Sequence, residues 1–214
     1  MKRLMYIHNF ILSTTTLFIL TFSISQLNVN AEINHKSLTV DATDREKWVY
    51  FSLSESDVVD IKDQTTSIKW DIGFKRTAII TNGGVSGPGD SATLILTETS
   101  FDNIDEAPKG DYVSDTDQIP TFARGDGWYT YTGPPNHWIL VNEKIYILRT
   151  AKGNYAKLRF IGYYENNDAK EGSGHISFEY VLQNNGTRFF INSPPASVNA
   201  IKKLTITWAE VKKN

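Results

Sequence analysis

From residue 155 onward, apolar side chains in several segments recur at every second position, and that period admits one kind of element. HISFEYVLQ (175–183) places Ile176, Phe178, Tyr180 and Leu182 on one side and His175, Ser177 and Glu179 on the other, with Val181 the exception. KLTITWAEV (203–211) repeats the pattern with Leu204, Ile206 and Trp208, and YAKLRF (155–160) with Ala156, Leu158 and Phe160. Residues two apart share a face only on an extended strand, so these are half-buried strands. WVYFSL (48–53), KWDIGFKRTAII (69–80) and KIYILRT (144–150) read as further strands, the last joined to YAKLRF by the turn AKGN. In QNNGTRFFI (183–191), Asn-Gly between apolar runs predicts a hairpin, because both turn residues accept positive φ. No window of a dozen residues carries a helical stripe. The expected fold is an all-β, antiparallel, sandwich-like domain.

The first 31 residues are set apart from that domain. Lys2 and Arg3 precede a mainly apolar run from Phe10 to Ile24, and Val29-Asn30-Ala31 supplies small residues for signal peptidase. A charged head, a short apolar middle and a cleavage site make a secretory signal peptide. The run is shorter than the ~20 residues a membrane-spanning helix needs. Cleavage after Ala31 leaves 32–214 as a single domain with no membrane span. Loss of the two basic residues takes the net charge from −2 to −4. No concentrated positive patch remains for nucleic acid, which would need one to meet its phosphates. The chain has no cysteine, which excludes disulfides, thiolate metal sites, a thiol nucleophile and a lipidated cysteine anchor. The expected location is therefore secreted or periplasmic, with the protein in solution.

Enzyme signatures are missing. There is no GxSxG elbow, HExxH pair or GxxxxGK[ST] loop, and no pair of carboxylates stands out. Asp115-Thr116-Asp117 begins like a calcium loop but lacks its later glycine and glutamate. The stretch TNGGVSGPG (81–89) precedes no helix, so its glycines read as backbone geometry. Asn185-Gly186-Thr187 matches a glycosylation sequon and is read as a turn. Ser100 to Gly127 is a long polar insertion rich in Asp, Gly and Pro; a segment of that length is expected either to have a job or to be mobile.

Four histidines occur, at 8, 35, 137 and 175. His8 leaves with the signal peptide, His35 lies near the mature N-terminus, where disorder is common, and His175 heads a strand on its polar face. His137 is different. It lies in TYTGPPNHW (130–138), after two prolines that restrict the backbone, with Trp128, Tyr129, Tyr131 and Trp138 nearby. A rigid turn presenting imidazole among aromatic rings suits a haem site; a loop histidine beside core aromatics fits the same residues.

The chain resembles the HmuY family of exported bacterial haem-binding proteins. The resemblance rests on KWDIGFKRTAIITNGGVSGPG (69–89), WYTYTGPPNHWILVNEKIYILRT (128–150), GNYAKLRFIGYY (153–164) and GSGHISFEYVLQ (172–183), in family order. It implies an all-β fold with projecting β fingers that grip haem, no catalysis, and a role in haem and iron acquisition. The implied partners are haem-carrying proteins and an outer-membrane haem receptor. It further implies His137 as an axial ligand, with Trp128, Tyr129 and Trp138 as pocket aromatics. A second ligand is expected upstream, where residues 100–127 contain neither histidine nor methionine; Tyr112 is the candidate there. Lys109 and Arg124 are candidate partners for the propionates. The alternative is an exported β-sandwich module for carbohydrate or a protein partner, with Trp128, Tyr129 and Trp138 exposed for stacking and no haem site.

Overall fold

The computed structural model describes residues 33–190, with side chains described from His35 onward. The signal segment and the expected strand 203–211 lie outside the described residues. The longest strands, Tyr155–Asn166 (β10) and Glu171–Gln183 (β11), form the middle of a five-stranded antiparallel sheet. Ile33–Asp41 (β1) pairs with β11, while Ile145–Arg149 (β9) and then Ala92–Leu96 (β6) extend the other side. A second sheet contains Asp57–Val59 (β3), Val49–Ser52 (β2), Ile72–Lys75 (β4) and Ala78–Thr81 (β5), in that order. Tyr129–Tyr131 (β7) and Ile139–Val141 (β8) make a separate two-stranded hairpin.

The alternation read from sequence becomes the two faces of the large sheet. Ile176, Phe178, Tyr180 and Leu182 of β11 join Ala156, Leu158 and Phe160 of β10 and Phe51, Ile72 and Phe74 of the small sheet in the main core. Val181 is on the opposite face, in a second apolar cluster with Ile145 and Ile147. That second cluster answers the question raised by the long insertion. Phe101, Ile104 and Ala107 come from it and cover the sheet's outer face, while Phe122, in a single 3-10 turn (Thr121–Ala123), is in the main core. Lys157 fastens the cover: its buried ammonium donates to the carbonyls of Phe101 (2.8 Å) and Ile104 (3.0 Å). The insertion is therefore a structural layer.

Two strand expectations are corrected. KWDIGFKRTAII is a tight hairpin, with β4 and β5 reversing at Arg76-Thr77. Arg76 has φ 54°, and its guanidinium holds the carbonyl and hydroxyl of Ser173. A side-chain period of two cannot reveal such a reversal when both arms are apolar. The Asn-Gly turn forms, with Gly186 at φ 77°, but its far arm pairs with the insertion. Phe189 bridges Glu106, and Phe190 N donates to Asp105 O.

The TNGG stretch is geometric, as read. Asn82 is fully buried and ties Ser67 O, Trp70 O and Gly89 N together. A Cβ on Gly83 would meet Ser91 O at 2.0 Å, so only glycine fits that approach. Asp115 is turned into the protein instead of toward a surface loop: its carboxylate, 3% exposed, accepts from Thr81 N (2.8 Å) and Thr121 N (2.7 Å).

Candidate functional site: an aromatic finger above a groove

The hairpin β7–β8 stands out from both sheets, with its inner face rooted in the core. Cross-strand partners share a face, so Tyr129 and Val141, then Tyr131 and Ile139, project on one side, and Thr130 and Leu140 on the other. Tyr129, Ile139 and Val141 pack on the main core. Tyr164 anchors the hairpin from below, its hydroxyl accepting from Ile139 N at 2.9 Å. Tyr164 reaches this place because β10 is irregular between Phe160 and Tyr164. There Asn167 Oδ1 accepts from Tyr163 N and Tyr164 N, and its amide occupies space that a Cβ on Gly162 would fill.

The tip, residues 132–138, is closed by its own hydrogen bonds. Thr132 N donates to Trp138 O (3.0 Å), His137 N to Gly133 O (2.8 Å), and Trp138 N to Thr132 Oγ1 (3.0 Å). His137 is held at φ 55°, an unusual conformation for a residue with a side chain. Its ring is exposed, and Nδ1 is hydrogen-bonded to the Tyr131 hydroxyl. Tyr131 is 53% exposed, and Trp138 and Leu140 are each 39% exposed. The finger therefore presents two aromatic rings, an aliphatic side chain and one imidazole to the outside.

Below the finger is a groove of about 570 Å³, floored by Arg159–Ile161 and walled by Thr99–Phe101 and Val141–Ile145. It exists because β9 pairs with β10 only over Tyr155–Leu158, leaving the rest of that edge open. Its volume is in the ~300–1,000 Å³ range of small-molecule sites. Lys144 and Arg159 supply cations at its walls and floor, beside the carboxylate of Glu143; Lys144 Nζ donates to Gly127 O, and Arg159 pairs with Glu179. Val141 ends β8 (Ile139–Val141) beside the groove, and His137 lies outside that strand, in the turn at the finger's tip.

The expected site residues separate. His137, Tyr129 and Trp138 are on the finger. Trp128 is not available as a pocket aromatic: it is 2% exposed, its indole donates to Thr77 O, and it packs on Phe160 with ring centroids 4.9 Å apart. Its tight contact with the core outweighs its closeness in sequence to the exposed tip. Tyr112 is at the other end of β10, against Tyr155 (5.9 Å) and under the Arg188 guanidinium. The finger meets β10 at Tyr164, nine residues from Tyr155, so about 30 Å of strand separates the two positions. Tyr112 and His137 are not brought to one iron. Burial also pushes the Tyr112 phenol up to about 12, with Arg188 opposing, and its hydroxyl donates to Pro108 O.

Lys109 belongs to the same distant loop as Tyr112. Arg124 is nearer the finger, in a segment whose Asp126 and Gly127 carbonyls accept from the Asn142 side chain. His35 is in β1, 3.6 Å from Glu179, and His175 contacts Gly172 O. Tyr131 was missed as a site residue: its meeting with His137 depends on the hairpin register, and only the two residues' positions astride Gly-Pro-Pro hinted at it.

For haem, the donor set on the finger is a single imidazole with Nε2 left over, beside exposed aromatic surface. No group of three or more metal-binding His, Cys, Asp or Glu side chains occurs among the described residues. That combination fits a planar ligand whose iron takes one histidine, and does not fit a bare metal ion.

The fold and finger define a class, an antiparallel β-sandwich that holds out an aromatic hairpin beside an open groove. The family described as HmuY protein matches residues 44–180, well over half the chain, and the chain belongs to that family. HmuY is a family of binding proteins. The chain is similar to the apo HmuY analog of Tannerella forsythia, with a TM-score of 0.54 and 23% identity over 72% of this chain and 97% of that one. It is also similar to apo PinO from Porphyromonas gingivitis, with a TM-score of 0.52 and 17% identity over 71% and 98%. A Bacteroides vulgatus structure, described as a candidate HmuY-like haem-binding protein, gives 0.49 and 22% over 68% and 90%. At these identities the likeness is one of fold. No curated protein matches the chain. No helix among the described residues is long and apolar enough to cross a membrane.

Proposed function

We propose that this protein is an exported haem-binding protein that captures haem for bacterial iron acquisition. The observation that carries the reading is a HmuY-family chain whose projecting finger ends in an exposed histidine. In this reading His137 is an axial ligand through Nε2, the exposed ring of Trp138 covers the macrocycle while Tyr129, packed on the core, backs the finger, and the cationic groove side chains Lys144 and Arg159 favour its carboxylates. Arg124, close to the finger base, is a further candidate for them. Haem supplies an iron that accepts imidazole; the chain supplies an apolar surface, a fixed ligand and cations. Export rests on the N-terminal segment, and delivery to an outer-membrane receptor follows from the family role.

The test is a ferric-haem titration of the purified protein, followed by absorbance, alongside His137→Ala. A saturable band is expected in the wild type, with weaker binding and a shifted spectrum in the variant. An unchanged spectrum and affinity would remove His137 from the site. No specific band in either protein, together with binding on a glycan array, would favour the carbohydrate-module alternative.

A further inference from the structure

The hydrogen bond between Tyr131 and His137 decides which imidazole nitrogen is free. A neutral imidazole carries its proton on one nitrogen, and only the other can ligate a metal. The group bonded to the second nitrogen therefore sets both tautomer and ring orientation. We infer that Tyr131 is the positioning residue of the site: its phenol oxygen accepts the Nδ1 proton of His137 and leaves the Nε2 lone pair for a haem iron. This rests on the haem reading above.

Four observations support it. The contact is made at Nδ1, leaving Nε2 as the outlying nitrogen. Both partners are fixed by backbone, Tyr131 by its pairing with Ile139 and His137 by the bond from its own amide to Gly133 O. Among the described residues, the ion pairs formed are His35–Glu179 and Arg159–Glu179, so no carboxylate takes this role at His137. Tyr131 is half exposed, which lets its own hydroxyl hydrogen turn to water while the oxygen accepts. The opposite polarity has a different consequence. If the phenol donates to Nδ1, Nε2 keeps its hydrogen and cannot ligate, and the tyrosine oxygen becomes the better iron ligand.

Two measurements test this. In the ligand-free protein, ¹⁵N-resolved NMR of the histidine rings at neutral pH should show His137 protonated at Nδ1. Tyr131→Phe should shift it toward the Nε2–H form. A wild-type Nε2–H tautomer would overturn the inference. In the ferric-haem titration, Tyr131→Phe should weaken binding by about 10- to 100-fold, the usual cost of losing such a partner, and alter the imidazole-ligated spectrum. Wild-type affinity and spectrum in Tyr131→Phe would refute it. So would a phenolate-to-iron band that survives His137→Ala and vanishes in Tyr131→Phe. If the wild type shows no haem band, the haem reading falls, and the NMR result still decides whether Tyr131 sets the tautomer.

Discussion

Replacing Asp115 by alanine should be among the most damaging single changes away from the finger. Its two carboxylate oxygens accept from Thr81 N at the end of β5 and from Thr121 N at the 3-10 turn, so one side chain joins the small sheet to the insertion. Both amides are in buried surroundings, and each, left unpaired, costs about 1–3 kcal/mol. A loss of about 3–5 kcal/mol follows for Asp115→Ala, allowing for some relaxation around the smaller side chain. For a domain of this size that corresponds to a fall in Tm of roughly 6–20 °C. Asp115→Asn keeps one oxygen for one amide and turns an NH2 group on the other, so its loss should be about half as large. Urea denaturation of the three proteins, followed by tryptophan fluorescence, measures both differences. An alanine variant within about 1 kcal/mol of wild type would refute the reasoning. So would equal losses in the two variants, because the cost would then not track the number of amides left without an acceptor.

Trp128 and Trp138 should behave oppositely despite their similar setting in sequence. Trp128→Ala empties a core position and should cost about 3–5 kcal/mol in thermal or urea unfolding, whereas Trp138→Ala should stay within about 0.5 kcal/mol and show its effect only in ligand binding. Asp71 makes stability depend on pH in the less common direction. Burial raises its carboxyl above the ordinary 3.8, against the pull of the Ala151 and Leu53 amides. The folded chain then holds that proton more tightly than the unfolded chain, so the contribution is full below pH 3.8 and is lost as pH rises through the folded value. The stability of wild type relative to Asp71→Asn, which cannot titrate, should accordingly be greatest at the acid end and fall with rising pH; a difference constant across urea titrations in that range would contradict this.

The faces of β10 and β11 were legible before any coordinates, and so was the turn at Gly153, which has φ 80°. Those are local properties: a pleated strand sends neighbouring side chains to opposite sides wherever it sits, and glycine tolerates positive φ in any context. The resemblance to the HmuY family was legible too, because it is carried by ordered runs of residue types. The two strands inside KWDIGFKRTAII were not separable, since both arms are apolar and the reversal at Arg76 is held by Ser173, 97 residues away.

At the site, the sequence by itself determined that an imidazole would stand in a proline-stiffened turn among aromatics. It could not say which aromatics would face outward. Trp128 and Trp138 differ because one comes within reach of Phe160 and Thr77 and the other does not, a matter of long-range packing. Tyr112 and His137 looked compatible in sequence, yet Tyr112 packs at the Tyr155 end of β10 and the finger that carries His137 meets β10 at Tyr164. Tyr131 became a partner of His137 only when the hairpin register brought residues on either side of the turn together. Backbone periodicity and turn chemistry are written residue by residue; which distant groups meet is decided only when the sheets stack and the strands take their register.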